Sequence, residues 1–116
     1  MTKCNIRKWM LMITSGEGKY KVWLKHETIG DDHILVLGGG QESHIGGVVI
    51  CEPGNEPQVI RLGTHYDYVV LKPLAEAACK KFKTKVVAVG GIHIDNASKN
   101  EINRIIKNCE KLEITL

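Results

Sequence analysis

The sequence predicts an α+β domain, with a mainly antiparallel sheet of five to seven strands and two helices packed on one side of it. The first part of the chain alternates short apolar runs with glycine-rich turns, as β-hairpins do. From Leu71 onward the apolar spacing becomes helical, and one short apolar strand separates two helical stretches. The chain has 116 residues, which predicts a single domain over 1–116.

Two hairpins and one further strand account for the first half of the chain. Residues 7–14 and 19–28 flank the turn sequence SGEG, whose glycines suit positive φ. His33–Leu37 predicts a short buried strand that ends at three glycines. Ile45–Cys51 and Gln58–Leu62 predict the second hairpin, joined by a turn that contains Pro and Gly.

Two helices and a strand follow. We expect the first helix to start near Lys72, because Pro73 fits the first helical position. Val86–Val89 is a continuous apolar strand, and Ser98–Glu101 has the pattern of a capping box that opens the second helix. The buried stripe predicted for this helix is Ile102, Ile105, Ile106 and Cys109. An edge strand over Leu112–Leu116 would end the chain.

The composition argues against several classes of partner. The formal net charge is only +3, the lysines are scattered, and one Phe, two Trp and three Tyr make no stacking platform for nucleic acid. No apolar run approaches a membrane span, and the N-terminal one is too short for a signal peptide, so we expect a cytoplasmic protein. The four cysteines form no C-x-x-C pair, which favours free, buried thiols.

Three histidines stand beside glycines or in a loop. Strand alternation places His93 on one face with Gly91, away from the isoleucines of GGIHID, and pairs His44 with Gly46 in the same way. Glycine within a strand often marks close approach by a ligand or another backbone. His65 lies in the loop before the first helix. The candidate site is therefore His44, Gly46, His65, Asp67, Lys72, Gly91 and His93.

Residue chemistry leaves the role of this site open. Three imidazoles suit a divalent metal held by His44, His65 and His93, and equally a phosphate or the polar edge of a cofactor. A purely structural role is as well supported, and it is the expected one for His26 and His33. The sequence contains no G-x-S-x-G, H-E-x-x-H or P-loop motif, which favours a binding or accessory protein over an enzyme.

The same stretches resemble a known family. HIGGVV (44–49), THYD (64–67) and GGIHIDNASKNEI (90–102) are similar to the prenylated-flavin chaperone LpdD-like proteins, small D subunits that accompany UbiD-type phenolic-acid decarboxylases. By position, the resemblance assigns cofactor contacts to His44, Gly46, His65, Gly91 and His93. The chain departs from the family pattern where Tyr66, not an acidic residue, follows the middle histidine.

The resemblance implies a non-catalytic protein that binds prenylated FMN and delivers it to, or matures, a UbiD-type decarboxylase large subunit. The flavin prenyltransferase that makes the cofactor would be a further partner, and a homo-oligomer is expected. Two alternatives stay open. One is a small metal-dependent enzyme using the three histidines, and the other is a structural subunit of the decarboxylase complex.

Overall fold

The computed structural model describes residues 11–116, which form one six-stranded sheet and two helices. The strands are β1 (Leu11–Ser15), β2 (Val22–Ile29), β3 (Asp32–Gly39), β4 (Glu42–Cys51), β5 (Gln58–Arg61) and β6 (Val86–His93). The helices are α1 (Tyr68–Phe82) and α2 (Lys99–Thr115). Residues 7–10 of the predicted first strand lie outside the described residues. Neither described helix is long and apolar enough to cross a bilayer.

The sheet has the order β1-β2-β3-β6-β4-β5, and its only parallel pair among the described residues is β3–β6. The predicted α+β class and both predicted hairpins are confirmed. β6 is the last of these strands in the sequence, but it lies in the interior of the sheet, between β3 and β4. The end of β6 therefore lies next to the start of β4, although some fifty residues separate them in the sequence.

Both helices pack on the same face of the sheet. Val22 and Leu24 of β2, Leu71 of α1 and Leu112 of α2 are almost completely buried in one apolar cluster. Side chains alternate along each strand, so the opposite face carries the intervening residues. Pairing places six of them in one row across that face: Met12, Lys25, Val36, Val89, Val48 and Ile60.

The predicted start of the first helix was wrong. α1 begins at Tyr68, so Pro73 lies within the helix and not at its first position. The carbonyl of Asp67 already accepts hydrogen bonds from Val70 N and Leu71 N at 3.1 and 3.0 Å. Burial of Leu71 keeps this turn against the sheet. Pro73 has no N–H to donate to the carbonyl four residues before it, but Pro73 is exposed, so that carbonyl can bind water instead.

The C-terminal edge strand was also wrongly predicted. Leu112–Leu116 does not leave the helix, since α2 continues to Thr115. Leu112 follows Ile105 and Cys109 at helical spacing and completes the buried stripe. Ile102, predicted to belong to that stripe, is 48% exposed.

The predicted capping box is present and fixes α2 to the first hairpin. Ser98 Oγ accepts a hydrogen bond from Glu101 N at 3.2 Å, and Glu101 Oε1 accepts one from Ser98 N at 3.0 Å. Glu101 Oε2 lies 2.8 Å from both Lys19 Nζ and Tyr20 Oη. The hydrogen bond from Lys19 is the largest of the effects that lower the pKa of Glu101 to about 2.

We predict that Glu101→Gln lowers the melting temperature at pH 7, and that the difference from wild type shrinks under acid. A carboxylate with a depressed folded-state pKa stabilises the fold above its ordinary pKa of 4.5, and this contribution is lost as the pH falls towards about 2. Thermal denaturation followed by circular dichroism at several pH values measures this. Glu110→Gln, on the same helix, is the control, and an equal pH dependence for both variants would contradict the prediction.

Candidate functional site

The pairing of β4 with β6 is interrupted where the site lies. Ser43 pairs with Ile92 and Gly47 pairs with Gly90, so the β4 residues 44–46 lie opposite Gly91 alone. Gly90 has φ +136°, and a Cβ there would lie 1.9 Å from the Leu37 carbonyl oxygen. This position therefore accepts only glycine, and it borders the gap in the ladder.

The carboxylate of Asp67 enters this gap from the loop before α1. Its Oδ1 accepts a hydrogen bond from Ile92 N at 2.9 Å, and its Oδ2 lies 3.1 Å from His44 Nε2. A Cβ at Gly46 would lie 1.9 Å from that Oδ2, and one at Gly91 would lie 2.8 Å from it. The two glycines predicted as site residues therefore leave room for a side chain of the same chain.

The three predicted histidines lie close together, and two of them, His44 and His65, lie beside this carboxylate. The ring centroids of His44 and His65 are 4.5 Å apart in an edge-on arrangement, and those of His44 and His93 are 6.2 Å apart. His65 Nδ1 or Nε2, His44 Nδ1 or Nε2 and an Asp67 oxygen lie within 4.8 Å of one another. His93 lies outside this group of potential ligand atoms.

His93 is fixed by contacts that the sequence analysis missed. Its Nε2 lies 2.7 Å from Asp95 Oδ1. Gln41 N donates to the His93 carbonyl oxygen at 2.8 Å, and Gln41 Oε1 accepts from Asp95 N at 2.6 Å. A carboxylate two residues after a histidine was visible in the sequence, but nothing there indicated Gln41.

Arg61 is another residue that the sequence analysis missed. It donates from Nε to the His65 carbonyl oxygen at 2.8 Å and from Nη2 to the Thr64 carbonyl oxygen at 3.1 Å. Its guanidinium also lies 4.1 Å from the ring centroid of Tyr66. Arg61 thus holds the loop that carries His65 and Asp67 at the end of β5.

A cavity of about 330 Å³ opens beside these residues, between the loop, the end of β6 and both helices. Its wall is mostly aliphatic, and its ionisable members are His65, Tyr66, Asp67 and His93. The full lining is Thr64, His65, Tyr66, Asp67, Val69, Val70, Ile92, His93, Ile94, Ala97, Ile102, Ile105 and Ile106.

Three of the seven predicted site residues, His65, Asp67 and His93, line this cavity, and His44, Gly46, Lys72 and Gly91 do not. Lys72 is exposed in the second turn of α1 and is not part of the lining. His93 borders the cavity together with Ile92 and Ile94, but it is exposed, whereas both isoleucines pack in the apolar core. Strand geometry ends at His93, so alternation no longer orients the residues that follow.

Comparison with known proteins agrees with the resemblance seen in the sequence. Residues 16–115 match the prenylated flavin chaperone LpdD-like domain. The chain belongs to this family. All seven predicted site residues fall within the matched range. No curated protein matches the chain.

A similar fold occurs in a solved structure whose title describes another kind of chaperone. The match is to a chain of the "Crystal Structure of a Novel Chaperone Complex for Yeast 20S Proteasome Assembly", with a TM-score of 0.54 and 16% sequence identity. The alignment covers 92% of this chain and 97% of the other. At this identity the likeness concerns the fold alone.

We predict that Gly46→Ala destabilises the protein by about 1–3 kcal/mol more than Gly47→Ala, as over-packing of a buried site does. Both glycines are buried and adjacent in β4, but a Cβ at Gly47 would come no closer than 3.3 Å to its neighbours. Urea denaturation of the two variants measures the difference.

The same comparison in an Asp67→Ala background identifies the cause. Once the carboxylate is removed, the extra cost of Gly46→Ala should largely disappear, because the new methyl group then has space. An undiminished cost in that background would show that Asp67 is not what Gly46 accommodates.

Proposed function

We propose that this protein is a non-catalytic, cytoplasmic accessory protein that binds prenylated FMN and delivers it to a UbiD-type decarboxylase. The observation that carries the proposal is the aliphatic cavity bordered by His65, Asp67 and His93. Its volume of about 330 Å³ lies at the lower end of ligand pockets, roughly 300–1,000 Å³. The fused rings of a prenylated flavin need an apolar wall and a few hydrogen-bonding groups, and this cavity offers both.

The rim of the cavity supports hand-over to another protein. Tyr66, Val69 and Ile102 line the cavity and are 65%, 48% and 48% exposed. Exposed aromatic and aliphatic side chains around a ligand site are typical of surfaces that bind protein partners. In this proposal the decarboxylase large subunit covers the rim while it receives the cofactor, and the flavin prenyltransferase supplies it.

We predict that Ala97→Phe weakens binding of reduced prenylated FMN at least about ten-fold, because the ring fills space that the flavin needs. Ala97 lines the cavity, whereas Ala77, partly buried on α1, does not, so Ala77→Phe is the control. Anaerobic titration followed by absorbance, with retention on ultrafiltration, measures affinity. Wild-type protein that retains neither the reduced nor the oxidised cofactor would overturn the proposal.

Delivery is tested with the same proteins. Cofactor-loaded wild-type protein should activate an apo-decarboxylase beyond what free cofactor achieves, and Ala97→Phe should not. Stable co-purification with the large subunit, with neither cofactor binding nor activation, would instead support the structural-subunit alternative.

We also propose that the protein is a homo-oligomer joined through the sheet face that the helices leave open. Five of the six residues in the row across that face are apolar, and Ile60 and Met12 are 46% and 57% exposed. Two such faces can pack together as the sheets of a β-sandwich do. An isologous arrangement would place Val89, near the centre of the row, close to the symmetry axis.

We predict that Val89→Lys converts the oligomer to a monomer, because it introduces a charge at the centre of the packed face. Size-exclusion chromatography with light scattering measures the mass, and Ile114→Lys, at a position 84% exposed on α2, is the control. A monomeric wild-type protein would contradict this prediction.

A further inference from the structure

The Nε2 atom of His44 is buried and makes no hydrogen bond within the described residues. Asp67 Oδ2 lies only 3.1 Å away, but the contact lacks hydrogen-bond geometry. Buried polar atoms in native proteins nearly always have a partner, and an exception calls for one, such as a water or an ion. A nitrogen lone pair and a carboxylate oxygen side by side are the arrangement that two ligands of one cation adopt.

A third donor completes the set. The ligand atoms of His44, His65 and Asp67 all lie within 4.8 Å of one another. Around a tetrahedral zinc ion with bonds of about 2.0–2.2 Å, ligand atoms are roughly 3.4 Å apart. The His44–Asp67 separation of 3.1 Å is already close to that value, and His65 is exposed in a loop, so its ring can rotate towards the ion.

The surrounding contacts orient these donors as outer-shell contacts do in metal sites. Asp67 Oδ1 is occupied by the Ile92 N–H, which leaves Oδ2 for a cation. Arg61 holds the backbone of the loop at His65. Asp67 has only 9% of its side chain exposed, so a cation would offset the cost of burying its negative charge.

From this geometry we infer that His44, His65 and Asp67 form a binding site for a divalent transition-metal ion of the Zn²⁺ class. Two imidazoles and one carboxylate are a donor set that such ions favour. His65 and Asp67 both border the cavity, so an open coordination position would face it. That position would accept an oxygen donor from whatever occupies the cavity. The site uses Asp67 in place of His93, and it does not depend on flavin binding.

The test uses the full-length, tag-free protein, stripped with a chelator and free of flavin. Isothermal titration with Zn²⁺ gives affinity and stoichiometry, and Co²⁺ absorption reports the coordination. We expect one ion per chain. His65→Gln should weaken binding at least about ten-fold with little effect on folding, because His65 is exposed. Asp67→Asn should weaken it similarly, and the amide oxygen can still accept from Ile92 N.

His93→Gln is the matched control, since it removes a neighbouring imidazole that lies outside the donor group. It should leave affinity within about two-fold of wild type and the Co²⁺ spectrum unchanged. Thermal denaturation of each variant without metal verifies the fold. The inference is overturned if wild type binds neither ion, if His65→Gln and Asp67→Asn bind as wild type does, or if His93→Gln weakens binding as much as they do.

Discussion

The structure of the site depends on one hydrogen bond, from the Ile92 N–H to the carboxylate of Asp67. In a regular ladder a strand of the sheet would pair with this N–H. Here the side chain of a loop residue replaces that partner at a partly buried N–H, where leaving the bond unmade would cost up to about 1–3 kcal/mol. This hydrogen bond connects the end of β6 to the residue just before α1, and it places the carboxylate of Asp67 beside His44.

This contact explains several features of the sequence. Gly46 and Gly91 have no side chains because the carboxylate occupies the space that a Cβ would need. The side chain of Asp67 is hydrogen-bonded to β6, and its carbonyl accepts the first hydrogen bonds of α1. The helix therefore begins at Tyr68, ahead of its proline. The same residue that builds the site thus also starts the helix that forms one wall of the cavity.

Local signals predicted the elements whose causes are local. The capping box at Ser98, the hairpins and the helical period after Leu71 all involve contacts between residues near one another in sequence. The errors in the helix boundaries arose where packing between residues far apart in the sequence determines the structure. Pro73 suggested a later helix start, but burial of Leu71 outweighs the lost hydrogen bond, and Leu112 continues α2 because it reaches the core.

The sequence by itself determined the fold class, the family and the histidines, glycines and Asp67 that meet at the site, because glycine spacing and motif order are properties of the chain. It did not indicate Arg61 or Gln41, and it added Lys72, which lies outside the cavity lining. Only the tertiary structure decided what the residues of the site do to one another. The register shift between β4 and β6 selects Asp67 as the partner of His44, leaves His93 with Asp95, and recruits Arg61 and Gln41. Register depends on pairing between strands about fifty residues apart, and no local pattern encodes it.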